Sequence, residues 1–170
     1  MFTLIIGGAA SGKSEFAEAH ALKLPGRRVY LATMEPLGTG ARARVERHRR
    51  LRAGKGFETV ERYTNLAGLL LPPDTNILLE CLGNLTANEL YSPRGGGTQA
   101  VLNGIDHLLS RNAYLTVVTN EVCSGGTDYA GDTLTYMEKL ARINRALAAR
   151  ADLVVEVVCG LPNVLKRVPV

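Results

Sequence analysis

The chain has 170 residues, 46 % of them apolar, with 20 Lys and Arg against 16 Asp and Glu for a net charge of +4. That length predicts one domain, 1–170, and at this size folding buries about 70 % of the unfolded surface. No apolar run approaches the roughly 18 residues of a membrane span, the start Met1-Phe2-Thr3-Leu4-Ile5-Ile6-Gly7-Gly8 lacks the basic region of a signal peptide, and the composition excludes collagen, coiled coil and disorder, so the expectation is a cytoplasmic globular protein.

Phe2 to Ile6 reads as a short buried strand, followed by a glycine loop and a helix over Lys13 to Leu24, which Pro25-Gly26 ends. Val29 to Thr33 reads as a second strand, Glu35 to Gly40 as a loop, and Ala41 to Ala53 as a helix stopped by Gly54 and Gly56. Phe57 to Val60 is a further short strand, and Asn65 to Leu71 a short helix closed by Pro72-Pro73. Asn76 to Cys81 predicts another buried strand, with a helix over Leu85 to Tyr91 behind it. Ser92 to Gly97, with Pro93 and three glycines, is a candidate mobile lid. Thr98 to Arg111 is helical, Leu115 to Asn120 a buried strand, Asp132 to Arg150 a long amphipathic helix, and Leu153 to Val158 the last clear strand. Strands that are apolar on both faces and alternate with helices predict an α/β fold, a mainly parallel sheet with helices on both sides.

Three cysteines, Cys81, Cys123 and Cys159, are too far apart for a zinc pair and read as small buried hydrophobes near strand ends. The charge is concentrated. Residues 42–52 hold six arginines and one acid, Glu46, for a local charge of +5, which leaves −1 for the rest of the chain. This points to one anion-binding element and not to a general basic surface. Aromatic residues are 5 % of the chain and none lies in that stretch, so nucleic-acid binding by base stacking is not expected.

Gly7-Gly8-Ala9-Ala10-Ser11-Gly12-Lys13-Ser14 fits the phosphate-loop pattern G-x-x-x-x-G-K-[ST], between a strand and a helix as that pattern requires. Glycines let the backbone curl so that several N–H groups face the phosphates, and the helix N-terminus favours their charge. Lys13 would reach the β- and γ-phosphates and Ser14 would hold Mg²⁺. An acid is needed beside that metal, and two strand ends offer one, Glu80 and Glu121. Either fits the metal role, and either also fits a helix cap or loop salt bridge.

His20 and His107 read as packing or surface residues. His48 differs, because Arg44, His48 and Arg52 fall on one helical face at i, i+4 and i+8. Nearby positive charge disfavours imidazolium and keeps such a histidine neutral and nucleophilic. A solvated basic face with an incidental histidine is the alternative.

The order of segments resembles the bifunctional adenosylcobinamide kinase and adenosylcobinamide-phosphate guanylyltransferase family of cobalamin biosynthesis. The resemblance rests on the phosphate loop, Tyr30-Leu31-Ala32-Thr33, Ala43-Arg44-Val45-Glu46-Arg47-His48-Arg49, Thr59-Val60-Glu61, Leu78-Leu79-Glu80-Cys81-Leu82, Val118-Thr119-Asn120-Glu121-Val122 and Arg142-Ile143-Asn144-Arg145-Ala146-Leu147-Ala148. It covers the chain almost end to end. It implies a three-layer P-loop NTPase fold of the RecA-like kind and two reactions. In the first, ATP or GTP phosphorylates the aminopropanol hydroxyl of adenosylcobinamide. In the second, a histidine, here His48, takes GMP from GTP through a phosphoramidate and passes it to the substrate phosphate, giving adenosylcobinamide-GDP. The resemblance places nucleotide contacts at Ala32, Thr33, Met34, Arg49, Arg52, Glu61, Glu80 and Leu82, and implies a homo-oligomer, often a trimer.

Two other readings remain open from the residues alone. One is a P-loop small-molecule kinase whose arginine helix is only a phosphate lid. The other is a GTP- or ATP-binding module without transfer activity.

Overall fold

The computed structural model describes residues 1–36, 39–40, 45–46, 49–50, 53–125 and 128–169. Its strands are β1 (Phe2–Gly7), β2 (Arg27–Ala32), β3 (Glu58–Glu61), β4 (Thr75–Glu80), β5 (Tyr114–Asn120), β6 (Leu153–Val158) and β7 (Leu161–Arg167). Its helices are α1 (Lys13–Leu22), α2 (Leu82–Tyr91), α3 (Gly97–Arg111) and α4 (Gly131–Arg150), with a 3₁₀ turn at Leu66–Gly68. The described residues of the arginine stretch (45, 46, 49 and 50) are helical, as are 39 and 40 before it.

The strands form one sheet in the order β3-β2-β4-β5-β1-β6-β7. All neighbours are parallel except β6 and β7. One strand, β5, separates the phosphate-loop strand β1 from the acid-bearing strand β4. Successive strand side chains point to opposite faces, and here both faces are buried. Leu4, Ile77, Leu79, Leu115 and Val117 join a core with Leu82 and Leu85 of α2, Val101, Ile105 and Leu108 of α3, and Leu140, Ile143 and Leu147 of α4. Ile5, Leu78, Val118 and Val155 join a second core with Ala17 and Ala21 of α1. This is the mainly parallel sheet with helices on both faces that strands alternating with helices predict.

Four expectations change. The chain does not end its sheet at β6, because β7 pairs back antiparallel as an edge strand. Pro162 masks it in the sequence, yet an edge strand tolerates proline, and Cys159 and Gly160 both take the positive φ that a two-residue hairpin turn needs (51° and 78°). Cys123 and Cys159 are exposed and Cys81 half-buried, because all three sit in turns or caps beyond strand ends. The helix expected from Leu85 begins at Leu82, since Cys81 Sγ caps it by accepting from Asn84 N. The lid candidate at Ser92 to Gly97 is a pinned turn. Gly95 N donates to Ser92 O at 2.9 Å, and Gly96 N to the buried Glu89 carboxylate at 2.7 Å. No described helix is long and apolar enough to cross a membrane.

Candidate active site

β1 delivers the chain to the carboxyl edge of the sheet, where the phosphate loop turns into α1. Ser11 N donates to Gly8 O at 3.3 Å, and Gly12 caps the helix at φ 87°, a left-handed geometry that favours glycine. A side chain there would also press against Gly160 of the β6–β7 turn, whose Cα would lie 3.0 Å from the added carbon. Gly160 N donates to Ser11 O at 2.8 Å, so the unanticipated hairpin buttresses the loop. Lys13 is nearly buried, with Nζ donating to Gly8 O at 2.9 Å, which holds the ammonium inside the loop.

Strand alternation then selects the acid. Leu78 belongs to the core on the α1 face, so Glu80, two residues on, faces the same way. Ser14 Oγ donates to Glu80 Oε1, while Glu80 Oε2 is buried with no hydrogen-bond partner. An orphaned buried carboxylate oxygen beside a hydroxyl is a pair of hard oxygen donors, which suits a magnesium ion that keeps most of its other ligands from phosphates and water.

Thr33 ties β2 to this point. Its N donates to Glu80 O at 3.2 Å, and its Oγ1 to Cys81 O at 2.7 Å. The Cys81 thiol is pushed up by burial and stays protonated.

A cavity of about 460 Å³ opens from here. Ala10, Ser11, Gly12, Lys13, Ser14 and Glu80 line it together with Ala32, Met34, Val45 and Glu61. Glu61 accepts from Tyr63 Oη at 2.7 Å and from the Arg49 guanidinium. The Tyr63 bond first, and Arg49 second, hold the Glu61 carboxyl below its usual range. Burial and Glu61 push Tyr63 up to about 12. Lys55 pairs with the buried Glu18 of α1 on the cavity wall.

The structure thus gathers Ala10 to Ser14, Ala32, Met34, Glu61 and Glu80 around one cavity, with Arg49 bound to its rim through Glu61. Gly7, Gly8 and Ala9 shape the loop behind it, and Thr33 is buried as a tie. Leu82 does not join them, because its side chain is fully buried in the core. Glu121 turns away, accepting from Cys123 N at 2.8 Å, Ser124 N at 3.2 Å and Ser124 Oγ. His48, Arg44 and Arg52 lie outside the described residues. His20 bonds Thr3 Oγ1 at 3.1 Å and His107 bonds Leu69 O at 2.8 Å, both packing roles.

Sequence reasoning missed Asn88. Its Nδ2 donates to Thr33 O at 2.9 Å and Tyr63 O at 3.0 Å, clamping the ends of β2 and β3 that carry Met34 and Glu61. No local signal marks it, since both partners are distant carbonyls brought in by packing.

Residues 3–165 match the profile of the family described as cobinamide kinase / cobinamide phosphate guanyltransferase. The chain is 32 % identical to the bifunctional adenosylcobalamin biosynthesis protein CobU of Escherichia coli (strain K12), covering 95 % of this chain and 97 % of that one. It is 30 % identical to the bifunctional adenosylcobalamin biosynthesis protein CobP of Pseudomonas aeruginosa, with 99 % of each covered. The solved structure of the flagellar accessory protein FlaH from Methanocaldococcus jannaschii superposes with a TM-score of 0.51 at 15 % identity, over 98 % of this chain and 78 % of that one, a likeness of fold alone. Phosphate loop, facing acid and full-length sequence match agree, and the chain belongs to the cobinamide kinase / cobinamide phosphate guanyltransferase family.

Proposed function

We propose that this protein phosphorylates adenosylcobinamide with ATP or GTP and then transfers GMP from GTP to the product through His48. The observation that carries the reading is a shared cavity. The phosphate loop and Glu80 line it together with Val45 and Glu61, and Glu61 binds Arg49, so residues three before and one after position 48 lie at the same cavity as the phosphate loop.

In the kinase step, Lys13 and the loop N–H groups bind the β- and γ-phosphates. The substrate hydroxyl oxygen attacks the γ-phosphorus, and the bond to the bridging oxygen breaks, releasing the nucleoside diphosphate. Ser14 Oγ and Glu80 would hold Mg²⁺, which when bound neutralises phosphate charge. Glu121 bonds its own turn and takes no part.

In the transferase step, the neutral imidazole of His48 attacks the α-phosphorus of GTP and pyrophosphate leaves. The substrate phosphate then attacks the same phosphorus and frees the histidine. Arg49 and Arg52 offset the charge of the triphosphate, and residues 32–34 with Glu61 meet the nucleoside. By the family likeness the protein works as a homo-oligomer, a trimer, which sedimentation equilibrium tests.

Incubation with Mg²⁺ and α-³²P-labelled GTP tests the assignment. Label that survives denaturation and base but is lost in acid is expected, and His48→Ala abolishes it. A variant that still takes label removes His48 from the role. Transfer of γ-phosphate without any covalent label leaves a kinase alone.

A further inference from the structure

The residues assigned so far account for the nucleotide, but a kinase also needs a place for the acceptor beside the γ-phosphate. Two carboxamides on the cavity wall are unused by the nucleotide reading: Asn84, in the first turn of α2, and Asn120, the last residue of β5. Both are half-buried, and among the described residues neither side-chain amide has a hydrogen-bond partner. Other asparagines of the fold differ. Asn76 binds Ala21 O, Asn88 binds two carbonyls, and Asn144 binds Thr119 and Asn120.

Strand alternation puts Asn120 on the face of Val118, the α1 face, so it looks toward the phosphate loop. Asn144 Nδ2 holds the Asn120 carbonyl at 3.2 Å, which fixes the strand end. Gly83, next to Asn84 in the chain, packs against Asn120. A carbon added there would sit 2.9 Å from Tyr136 Oη, 3.1 Å from Asn120 Nδ2 and 3.8 Å from Cys81 Sγ. Glycine at this position is what lets the Tyr136 hydroxyl and the Asn120 amide close onto the start of α2. Burial, then Cys81 and Tyr91, push Tyr136 up to about 12, so it remains a hydroxyl donor at neutral pH.

This wall carries no charge. Asn84 and Asn120 each offer a donor and an acceptor. Such a wall suits a neutral arm bearing an amide and a hydroxyl, and it is poorly matched to a phosphate, which Lys13 and the loop already serve. We infer that Asn84 and Asn120 form the subsite that holds the neutral amide-and-hydroxyl arm of the phosphoryl acceptor beside Lys13. The inference rests on the kinase reading above.

Steady-state kinase assays on Asn84→Ala and Asn120→Ala test it, with KM measured separately for adenosylcobinamide and for the nucleotide. Each variant is expected to raise the acceptor KM roughly tenfold, the value of one lost hydrogen bond, while the nucleotide KM stays put. Covalent labelling by α-³²P-GTP needs no acceptor and is retained, which also reports that each variant folds. Two results overturn the subsite: an unchanged acceptor KM, or a nucleotide KM that rises by the same factor, which assigns the amides to the phosphates. Wild-type protein that fails to phosphorylate adenosylcobinamide overturns the function and the subsite together, and is seen before any variant is made.

Discussion

β4 and β5 are neighbours in the sheet, both are apolar, and both run into an acid at the carboxyl edge. Their acids meet opposite fates. Glu80 faces the phosphate loop, with one oxygen on Ser14 and the other buried without a partner. Glu121 folds back on its own turn and satisfies both oxygens there. The difference is parity. Glu80 shares a face with Leu78, which packs toward α1, whereas Thr119, two residues before Glu121, bonds Asn144 of α4 on the other side. On β5 the residue that shares the α1 face is Asn120. A sheet edge therefore presents to its ligand the residues of one parity, whatever their charge.

The largest expected effect separates the two acids directly. Glu80→Gln keeps the shape but removes the charge beside Ser14, and the kinase kcat should fall roughly 10²-fold or more, the size of a lost electrostatic contact at a phosphoryl centre. Glu121→Gln should leave kcat nearly unchanged. Equal losses in the two variants would break the parity argument and return Glu121 to the metal site.

The second effect probes what holds β5 in place. Asn144→Ala removes the bonds to Thr119 Oγ1 (2.8 Å) and Asn120 O (3.2 Å). At about 1 kcal/mol each, the loss of stability should be about 2 kcal/mol, read by urea unfolding at pH 7. The acceptor KM should rise while the nucleotide KM does not, since the phosphate loop hangs from β1. A loss of stability with both KM values unchanged would mean that Asn144 only braces the strand.

How much of this was legible follows from where each signal resides. The phosphate loop is eight contiguous residues whose chemistry is local, so the sequence carries it whole. Which face of β4 and β5 meets α1 was not legible, because both faces are apolar, so the residues alone could not rank Asn120 above Glu121. Asn84, Asn88 and Tyr136 were not legible. They belong to α2 and α4, and only packing brings them to groups far away in the chain. β7 was hidden because Pro162 and the basic pair Lys166-Arg167 look like a tail, and an edge strand imposes no apolar alternation. His48 came from family likeness together with its arginine neighbours.

The smallest effect lies with Glu121 itself. Its bonds from Ser124 Oγ first, then from Cys123 N and Ser124 N, hold the carboxyl below its ordinary value of 4.5. In the unfolded chain these bonds are gone and the group titrates at its ordinary value. Between the two values the unfolded state binds more protons, so stability rises with pH there and drops as the pH is lowered. The contribution is complete above the unfolded value and is lost as pH drops through the folded one. Glu121→Gln has nothing to titrate, so the Tm gap between wild type and variant should be constant near neutrality, narrow once the pH passes below 4.5, and level off below the folded value. The side chain is largely solvated, so the gap is small. A gap that does not change with pH would mean that the carboxylate charge is not what Ser124 and Cys123 bind. The turn would then form without it, and Glu121 would be free to rotate toward the β1 edge.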